Sequence, residues 1–391
     1  MSIPGSLQQR AILQPQQTSG YTTFCGVNAG GSRIVVGWDT GSARGVEMYA
    51  RRSNSFELTK KLTLTASLDS ELNAVALSGA GTLLACGDKY NIAPTGKVFV
   101  YTVAADGSTI TQAATITPPG DPDQYFGAAC YFNQAGTRLY IGAPGYNNDA
   151  GAVYIYDLVG TTWTPGGIIT IPGSKAIGDS IGVSLDESIL AVGSLETNYY
   201  EGRVYVMAKD GSGVFQLRDT LDPPAGFGGQ FGAGLGLSPN GNRLYVGSPT
   251  YGDTQQRQGI ILSFDYVNGT WTKVTSQLRT VPWAWQNLGL NLALSHDGQT
   301  LVAGLQADAM VFGAYQYRVS GVTKDDNDQP APRQVFLHDA TTGALADGGW
   351  SAADGTFTLA SFTNSPHYAI CRDSAGGVAF NALVLDGVVP Q

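Results

Sequence analysis

Aromatic and amide side chains in predicted loops are the residues of this sequence best suited to chemistry. Tyrosine and tryptophan rings offer flat apolar surfaces with one polar group, and asparagine offers both a hydrogen-bond donor and an acceptor. This combination suits a sugar or a protein partner, so it predicts binding. The candidate residues are Tyr146, Asn147, Asn148, Tyr199, Tyr200, Tyr251, Trp283 and Trp285. Trp283 and Trp285 flank Ala284 at strand-like spacing, so the alternative that one of these rings packs inside stays open.

The residue types do not assemble a catalytic or metal-binding motif. The three histidines, His296, His338 and His367, fall in different predicted elements, and the predicted innermost strands carry mostly Gly, Ala, Ser and Leu rather than acids. The run Asp325–Asp328 is the best candidate for a cation, but a solvated turn explains the same residues and is the interpretation that we favour. We therefore predict a protein that is not an enzyme, with no catalytic residue, no cofactor and no metal ion.

Charge and hydropathy exclude two classes of partner. The net charge is −9 and the 22 Lys and Arg residues are scattered, whereas nucleic-acid binding needs clustered basic residues. No run approaches the roughly 18 apolar residues of a membrane span, and the N-terminal residues lack the apolar core of an export signal. We expect no nucleic acid, no membrane insertion and synthesis in the cytoplasm, where the four cysteines would be buried free thiols.

The elements that must position the candidate residues belong to a repeat. Six segments share an aromatic or aliphatic residue followed by small ones, a tight turn, a short apolar run ending in glycine, a loop, and an alternating Val/Tyr run. Spacings of 50, 55, 51, 54 and 57 residues separate the six terminal glycines, as expected for four-stranded propeller blades with long loops. These glycines are Gly37, Gly87, Gly142, Gly193, Gly247 and Gly304.

The third repeat shows the four predicted strands of a blade. Phe126–Ala129 forms the innermost strand, where small side chains let neighbouring blades approach the axis, and Leu139–Gly142 forms an apolar second strand. Gly151–Tyr156 alternates as a third strand, and a fourth runs from Trp163 to about Ile171. In such a blade, the connections from strand two to three and from strand four to the next blade share one face. That face receives every long loop, so we predict binding there.

Closure of the ring is predicted from the two ends of the repeat array. The sixth repeat stops after its third strand, near Tyr317, whereas an unassigned run, Gln8–Pro15, resembles the fourth strands of other repeats. A last sheet without its outer strand would leave an exposed edge and an unfastened ring. We therefore predict that Gln8–Pro15 pairs with the third strand of blade six, near Gly313–Arg318.

A change of pattern after Arg318 marks a predicted domain boundary. Residues 1–318 are expected to form the propeller, with the closing strand inside residues 1–20. Residues 319–391 are expected to form a small β-sandwich with a strand that begins at 319–323 and further strands at 334–339, 355–360, 367–372 and 382–385. The predicted fold class is all-β: a six-bladed β-propeller closed by the N-terminal strand, followed by a small β-sandwich.

Two resemblances to known families accompany this pattern. Phe126-Gly127, Phe231-Gly232 and the triplet Gly142-Ala143-Pro144 resemble integrin-α-like repeats of the FG-GAP type, which implies a fold and no activity. The first turns lack the Asp-rich calcium loop that such repeats often carry. The C-terminal segment resembles a transthyretin-like, carboxypeptidase-regulatory-type sandwich through Ala353–Phe357. Its ending, Phe380–Asp386, is similar to modules of tailed-bacteriophage structural proteins.

The resemblance at the C-terminus implies a function. We expect a non-enzymatic bacteriophage virion structural protein, in the tail or adsorption apparatus, that acts as a docking or receptor-binding module. Its partners would be other virion proteins and a host surface polysaccharide or receptor. Several copies would share one virion, assembled in the host cytoplasm. The alternative, a carbohydrate-binding or glycan-cleaving propeller protein, stays open.

Overall fold

The computed structural model of the chain forms two compact units. Gln8–Ala50 and Leu58–Gly313 make up the larger one, and Met1–Leu7, Arg51–Glu57 and Ala314–Gln391 make up the smaller one. The structure describes residues 8–15, 23–52, 55–64, 71–90, 95–120, 124–195, 201–227, 229–251, 258–274, 287–313, 317–324, 329–331, 333–339, 345–361, 367–372 and 385–388.

Six antiparallel four-stranded sheets form the blades of a β-propeller, and nearly all of their residues belong to the larger unit. The first strand, β1, is Gln8–Leu13. Blade one contains β2 (Thr23–Val27), β3 (Arg33–Asp39), β4 (Arg44–Arg52) and β5 (Ser55–Thr63). Blade two contains β6 (Ala74–Leu77), β7 (Leu83–Asp88), β8 (Lys97–Val103) and β9 (Ile110–Ile116). Blade three contains β10 (Cys130–Phe132), β11 (Arg138–Ala143), β12 (Ala152–Val159) and β13 (Thr162–Ile169).

The remaining blades repeat this arrangement. Blade four contains β14 (Ile177–Val183), β15 (Ile189–Ser194), β16 (Arg203–Lys209) and β17 (Phe215–Leu221). Blade five contains β18 (Leu235–Leu237), β19 (Arg243–Ser248), β20 (Ile260–Val267) and β21 (Thr270–Lys273). Blade six contains β22 (Asn291–Leu294), β23 (Thr300–Gly304) and β24 (Ala309–Gly313), together with β1. The predicted six-bladed, all-β architecture is confirmed.

The burial of a strand follows its place in the blade. The second strand β11 is buried on both faces because a blade packs against each of its neighbours. Leu139 and Ile141 share a core cluster with Val98 of blade two, whereas Tyr140 shares one with Leu190 of blade four. The outer strand β13 is largely exposed. A continuous apolar run therefore encodes the second strand, and mixed polarity encodes the outer one.

A polar residue closes the turn after the first strand of every blade. Its side-chain oxygen accepts a hydrogen bond from the backbone N–H five residues later, at 2.8 to 3.0 Å. Such side-chain contacts satisfy backbone donors in tight turns. The six acceptors are Asn28, Ser78, Asn133, Ser184, Ser238 and Ser295. This turn is the physical basis of the periodicity in the sequence.

The glycines that end the second strands lie where the next blade approaches. A Cβ atom on Gly142 would overlap the carbonyl oxygen of Gly178, which begins the inner strand of blade four. Three further glycines, Gly87, Gly193 and Gly247, meet Gly127, Gly232 and Gly289 in the same way. The second glycine of the pair is left-handed, with φ of 108° at Gly178. Glycine is therefore required on both sides of the blade junction.

The N-terminal strand closes the ring. β1 pairs antiparallel with β24, from Gln8 opposite Gly313 to Leu13 opposite Ala309, and it becomes the outer strand of blade six. The predicted pairing is confirmed, but the partner strand is Ala309–Gly313 and not the predicted Gly313–Arg318. The third strand begins earlier because Leu305 N–H donates to Asp308 O at 2.8 Å, which makes the preceding turn short.

The smaller unit contains two sheets in its described part. β25 (Tyr317–Val322) pairs with β28 (Thr356–Ser361), and the order of the other sheet is β27-β26-β29-β30. The latter strands are β26 (Gln334–Asp339), β27 (Leu345–Trp350), β29 (His367–Arg372) and β30 (Leu385–Val388). β27 was not predicted, because its Gly348-Gly349 pair interrupts any alternating pattern. The sandwich, its transthyretin-like character and the domain boundary at residue 318 stay predictions.

Helical structure is almost absent from the described residues. The one helical segment among them is Tyr146–Asp149, between β11 and β12, and its two asparagines have left-handed rather than α-helical φ and ψ. Among the described segments, no helix is long and apolar enough to cross a membrane.

Candidate functional site

The connections of the propeller differ in length between its two faces. The five-residue turns after the first strands and the hairpins between third and fourth strands lie on one face. The opposite surface, here called the long-connection face, carries the connections from second to third strands and from one blade to the next. The described residues of its segments are 14–15, 40–43, 64, 71–73, 89–90, 95–96, 117–120, 124–129, 144–151, 170–176, 195, 201–202, 222–227, 229–234, 249–251, 258–259, 274, 287–290 and 305–308. The sequence predicted this asymmetry.

Three of the candidate residues, Tyr146, Asn147 and Asn148, belong to a left-handed turn on this face. Asn147 and Asn148 have φ of 51° and 57°, and Asp149 follows with φ of 62°. The side chains of all three are exposed, whereas Tyr146 is half-buried. Asparagine and aspartate adopt this region at lower cost than other residues with a Cβ, but three in succession store strain. Strain of this kind persists only where the surroundings hold it.

Contacts with the neighbouring connection hold the turn in place. Gly151 N–H donates to Tyr146 O at 3.0 Å, and Ala176 N–H donates to Asp149 O at 2.6 Å. The Ser174 hydroxyl donates to Ala150 O at 3.0 Å. Because residues 174 and 176 precede the inner strand of blade four, the turn is tied to the frame of the propeller. Its two exposed amides are therefore presented in a fixed arrangement.

Tyr251 occupies the corresponding connection of blade five. Its ring stacks on Phe227, with centroids 5.3 Å apart and an interplanar angle of 13°. Lys273 Nζ lies 4.2 Å from the centroid of the same Phe227 ring. Tyr251 is half-buried and packs against the core of that blade. Part of its ring therefore stabilises the blade. The other candidates, Tyr199, Tyr200, Trp283 and Trp285, lie outside the described residues.

A cavity of about 290 Å³ lies on the propeller axis. The inner strands of all six blades line it, largely with small and apolar side chains such as Ala74, Ala128 and Leu292. The sequence indicated small residues on the inner strands but not the cavity.

Polar side chains line the cavity towards the long-connection face. Asn73 Oδ1 accepts a hydrogen bond from Lys89 N–H at 3.0 Å, and Asp179 Oδ2 accepts one from Leu195 N–H at 3.0 Å. Both contacts join the start of an inner strand to the end of a second strand in the same blade. These two side chains are therefore fixed, and they belong with Lys89 to the wall of the cavity.

His296 and Tyr131 lie at the opposite end of the cavity. His296 follows the inner strand of blade six, and its Nε2 lies 3.3 Å from Phe132 O in blade three, on the other side of the ring. The ring of Tyr131 lies 5.8 Å from that of His296, and its hydroxyl donates to Val183 O at 3.0 Å. The positions equivalent to Tyr131 are small in the other blades: Gly26, Ala76, Gly182, Gly236 and Ala293.

Burial controls the protonation of His296. The side chain is 8% exposed. Removal from water lowers its pKa, an effect that the hydrogen bond with Phe132 and the charge of Asp297 oppose only in part. The neutral imidazole must carry its proton on Nε2, because the Phe132 carbonyl can only accept. Nδ1 is then a buried acceptor, and no donor in the described part of the chain reaches it.

The sequence contains one literal match to the Gly-x-Ser-x-Gly pattern of serine hydrolases, Gly178–Gly182. That pattern needs a sharp turn between a strand and a helix, whereas Ser180 lies within β14. The Ser180 side chain is buried, and its hydroxyl donates to Gly232 O at 2.5 Å rather than to a histidine. The Ser180 hydroxyl therefore serves the packing of blade four against blade five.

Three described cysteines are free: Cys25, Cys86 and Cys130. Desolvation by burial raises the pKa of each thiol well above its usual range, so these groups stay protonated. Among the described residues, no group of three or more His, Cys, Asp or Glu side chains could hold a metal ion. The Asp325–Asp328 run lies outside them.

No protein-family model matches the sequence, and the curated proteins give no match either. Among solved structures, the chain is similar to a protein from Lactobacillus plantarum determined by the Northeast Structural Genomics Consortium. The TM-score is 0.49 and the sequence identity 15%, over 86% of this chain and 88% of that one. The chain is a six-bladed β-propeller by its own sheet topology.

Proposed function

We propose that this chain is a non-enzymatic structural component of a bacteriophage virion, in the tail or adsorption apparatus. In this proposal, the long-connection face of the propeller docks on the host surface, and other virion proteins hold the chain in several copies. The resemblance of its C-terminal residues to phage structural modules supports the location in the virion.

The Tyr146–Asp149 turn carries the proposal of a binding face. A surface turn that only reversed the chain would gain nothing from three consecutive left-handed residues, each of which costs conformational energy. A turn held by the next connection, with two exposed amides beside a tyrosine, is preorganised for hydrogen bonding with a partner. Host surface polysaccharide has the hydroxyl groups that match it.

The test removes the amides without changing the backbone. Asn147→Gly/Asn148→Gly keeps the left-handed conformation accessible but deletes both side chains. Labelled protein carrying both changes should bind host cells at least about tenfold more weakly, because two hydrogen bonds are worth about 1.4 kcal/mol or more. Flow cytometry over a concentration series measures this. Equal binding by the variant and the unchanged protein would contradict the docking face.

Asn268→Gly is the matched control. Asn268 is also an exposed asparagine with positive φ, 52°, but it lies in a hairpin of the opposite face. Its loss should leave binding unchanged. Mass spectrometry of purified virions tests the location independently, and absence of the chain from them would remove the proposal. Release of oligosaccharides from host polysaccharide would instead support the glycan-cleaving alternative.

A further inference from the structure

Two tryptophans occupy equivalent positions in the outer strands of blades three and five. Trp163 and Trp271 each pair, across the hairpin, with the second-last residue of the third strand. Blade four covers Trp271. The indole N–H of Trp271 donates to Asp219 Oδ2 at 3.3 Å, and the guanidinium carbon of Arg218 lies 5.8 Å from the centroid of its ring. The outer strand of one blade thus satisfies the tryptophan of the next.

Trp163 lacks this cover. The irregularity in strand pairing falls immediately before Ala114 in β9 and immediately before Asp219 in β17, which makes these two positions equivalent. Ala113 likewise stands at the position of Arg218. An alanine methyl group can neither accept a hydrogen bond nor extend over a neighbouring ring. Blade two therefore leaves open what blade four closes.

The indole N–H of Trp163 is available to a ligand. No described residue accepts a hydrogen bond from it. The group is accessible to solvent, whereas the indole N–H of Trp38 is buried without a partner. An indole can only donate, so a ligand that bonds to it must offer an acceptor oxygen.

A groove of about 610 Å³ lies between the outer strands of blades two and three, and it is here called the inter-blade groove. Residues 114–119 line it on the side of blade two, and Trp163 and Pro165 are among its residues on the side of blade three. The Tyr156 hydroxyl donates to Thr117 O at 3.0 Å and joins the two sides. Ligand sites enclose roughly 300 to 1,000 Å³, so the groove has the size of such a site.

The lining of the groove favours an uncharged ligand with hydroxyl groups. No lining residue is charged, so an ion would lose its water of hydration without gaining a counter-charge. Hydroxyl groups, which both donate and accept, come from four exposed threonines: Thr115, Thr117, Thr161 and Thr162. The ring of Trp163 adds an apolar surface. A sugar chain has hydroxyl groups and apolar C–H faces that match both features.

The backbone beside the groove disfavours an added peptide strand. Pro165 in β13 has no backbone N–H, and the pairing of β13 is irregular next to it. Pro118 and Pro119 follow β9 and remove two further donors. Proline and irregular pairing protect a sheet edge against strand addition. A sugar chain needs no backbone ladder, so it fits this groove better than a peptide does.

We propose that the inter-blade groove binds a segment of a neutral oligosaccharide. The indole N–H of Trp163 donates to a ligand oxygen, and the threonine hydroxyls bond to the remaining polar groups of the sugar. The groove shares no residue with the Tyr146–Asp149 turn, and this proposal does not rest on the docking function above.

Proton–nitrogen NMR of the tryptophan indoles tests the proposal on the full chain. Protein labelled with ¹⁵N is titrated with maltotetraose, cellotetraose and mannotetraose. At least one of them should shift the indole resonance of Trp163 saturably. The resonance of Trp271 should not move, because its N–H already donates to Asp219. The variant Trp163→Phe assigns the resonance by removing it.

Two outcomes of the titration would overturn the proposal. The first is no saturable change at Trp163 with any of the three oligosaccharides. The second is a saturable change with a poly-L-proline peptide and none with the oligosaccharides, because the groove would then be a peptide site.

Two variants of the groove complete the test. Ala113→Arg/Ala114→Asp introduces the pair that covers Trp271 and should weaken oligosaccharide binding at least about tenfold by calorimetry. Trp163→Phe keeps a flat ring but removes the donor, so it should weaken binding about threefold to tenfold, as expected for one hydrogen bond.

Leu217→Arg is the control for the added charge. Leu217 is an exposed residue of the outer strand of blade four and does not line the groove. This change should leave oligosaccharide binding as it is. Melting curves of all variants show whether the propeller is intact. Unchanged affinity in both groove variants would overturn the proposal.

The two proposals fail independently. The Asn147→Gly/Asn148→Gly variant should show the full shift at Trp163, since the turn is not part of the groove. A protein that binds host cells through the turn but shows no indole shift with sugar would retain the docking face and lose the groove site.

Discussion

Individual glycines determine how closely the blades pack. Gly142 and Gly178 face each other across the junction of blades three and four, and the other three junctions between blades two and six repeat this pairing. At the junction of blades six and one, Gly304 instead faces Thr23. The Thr23 hydroxyl donates to Leu305 O at 2.7 Å and to Asp308 O at 2.6 Å. The glycine still meets a backbone carbonyl at this junction, and the hydroxyl of Thr23 adds hydrogen bonds to the turn after β23.

Substitution of Gly142 by alanine should therefore destabilise the propeller. The added methyl group has no free space, because the backbone of Gly178 occupies it, and overpacking of this kind typically costs 1 to 3 kcal/mol. We expect Gly142→Ala to lower the free energy of unfolding by about 2 kcal/mol or more in urea denaturation. Gly211→Ala is the control, since nothing lies within 4 Å of a Cβ placed there. Equal effects of the two changes would show that the junction tolerates a side chain.

Among the secondary-structure elements, the closing strand β1 completes the ring of blades. β1 supplies the outer edge of blade six and is far in sequence from the three strands that it joins. Leu13 is buried, whereas Ile12 is exposed, so the strand packs through one face. Its pairing converts an open array of sheets into a closed one, which removes an exposed edge.

Deletion of residues 1–16 should lower the melting temperature by about 5 °C or more, because a shift of 2 to 4 °C accompanies each kcal/mol in larger domains. Calorimetry or circular dichroism measures the change. Deletion of residues 1–6, which retains all of β1, is the control. A synthetic peptide of residues 1–16 should restore part of the loss when added in excess. An unchanged melt after the longer deletion would contradict the role of this strand.

The whole molecule combines two compact units of different size. In the described part of the chain, β24 ends the propeller at Gly313, and β25 begins at Tyr317 in the smaller unit. Domains generally carry their own hydrophobic core and fold by themselves. The core clusters around β7, β11, β15 and β19 belong to the larger unit.

Truncation after Gly313 tests whether the propeller is an independent domain. We expect residues 1–313 to fold and to melt in one cooperative transition, within about 5 °C of a transition of the full chain. Differential scanning calorimetry of both proteins makes the comparison. A truncated chain that is unfolded, or that loses most of its melting enthalpy, would show that the smaller unit is needed for the larger one.

The sequence by itself determined the number of blades, the order of strands and the closing strand. These features follow from patterns along the chain, such as the polar turn residue and the glycine that recur in every blade, and from the strand missing at one end and present at the other. Only the tertiary structure decided the axial cavity, the contact of His296 with Phe132 and the fixed left-handed turn. These features depend on residues brought together from different blades. The repeat period along the chain does not say which side chains meet across the axis of the propeller.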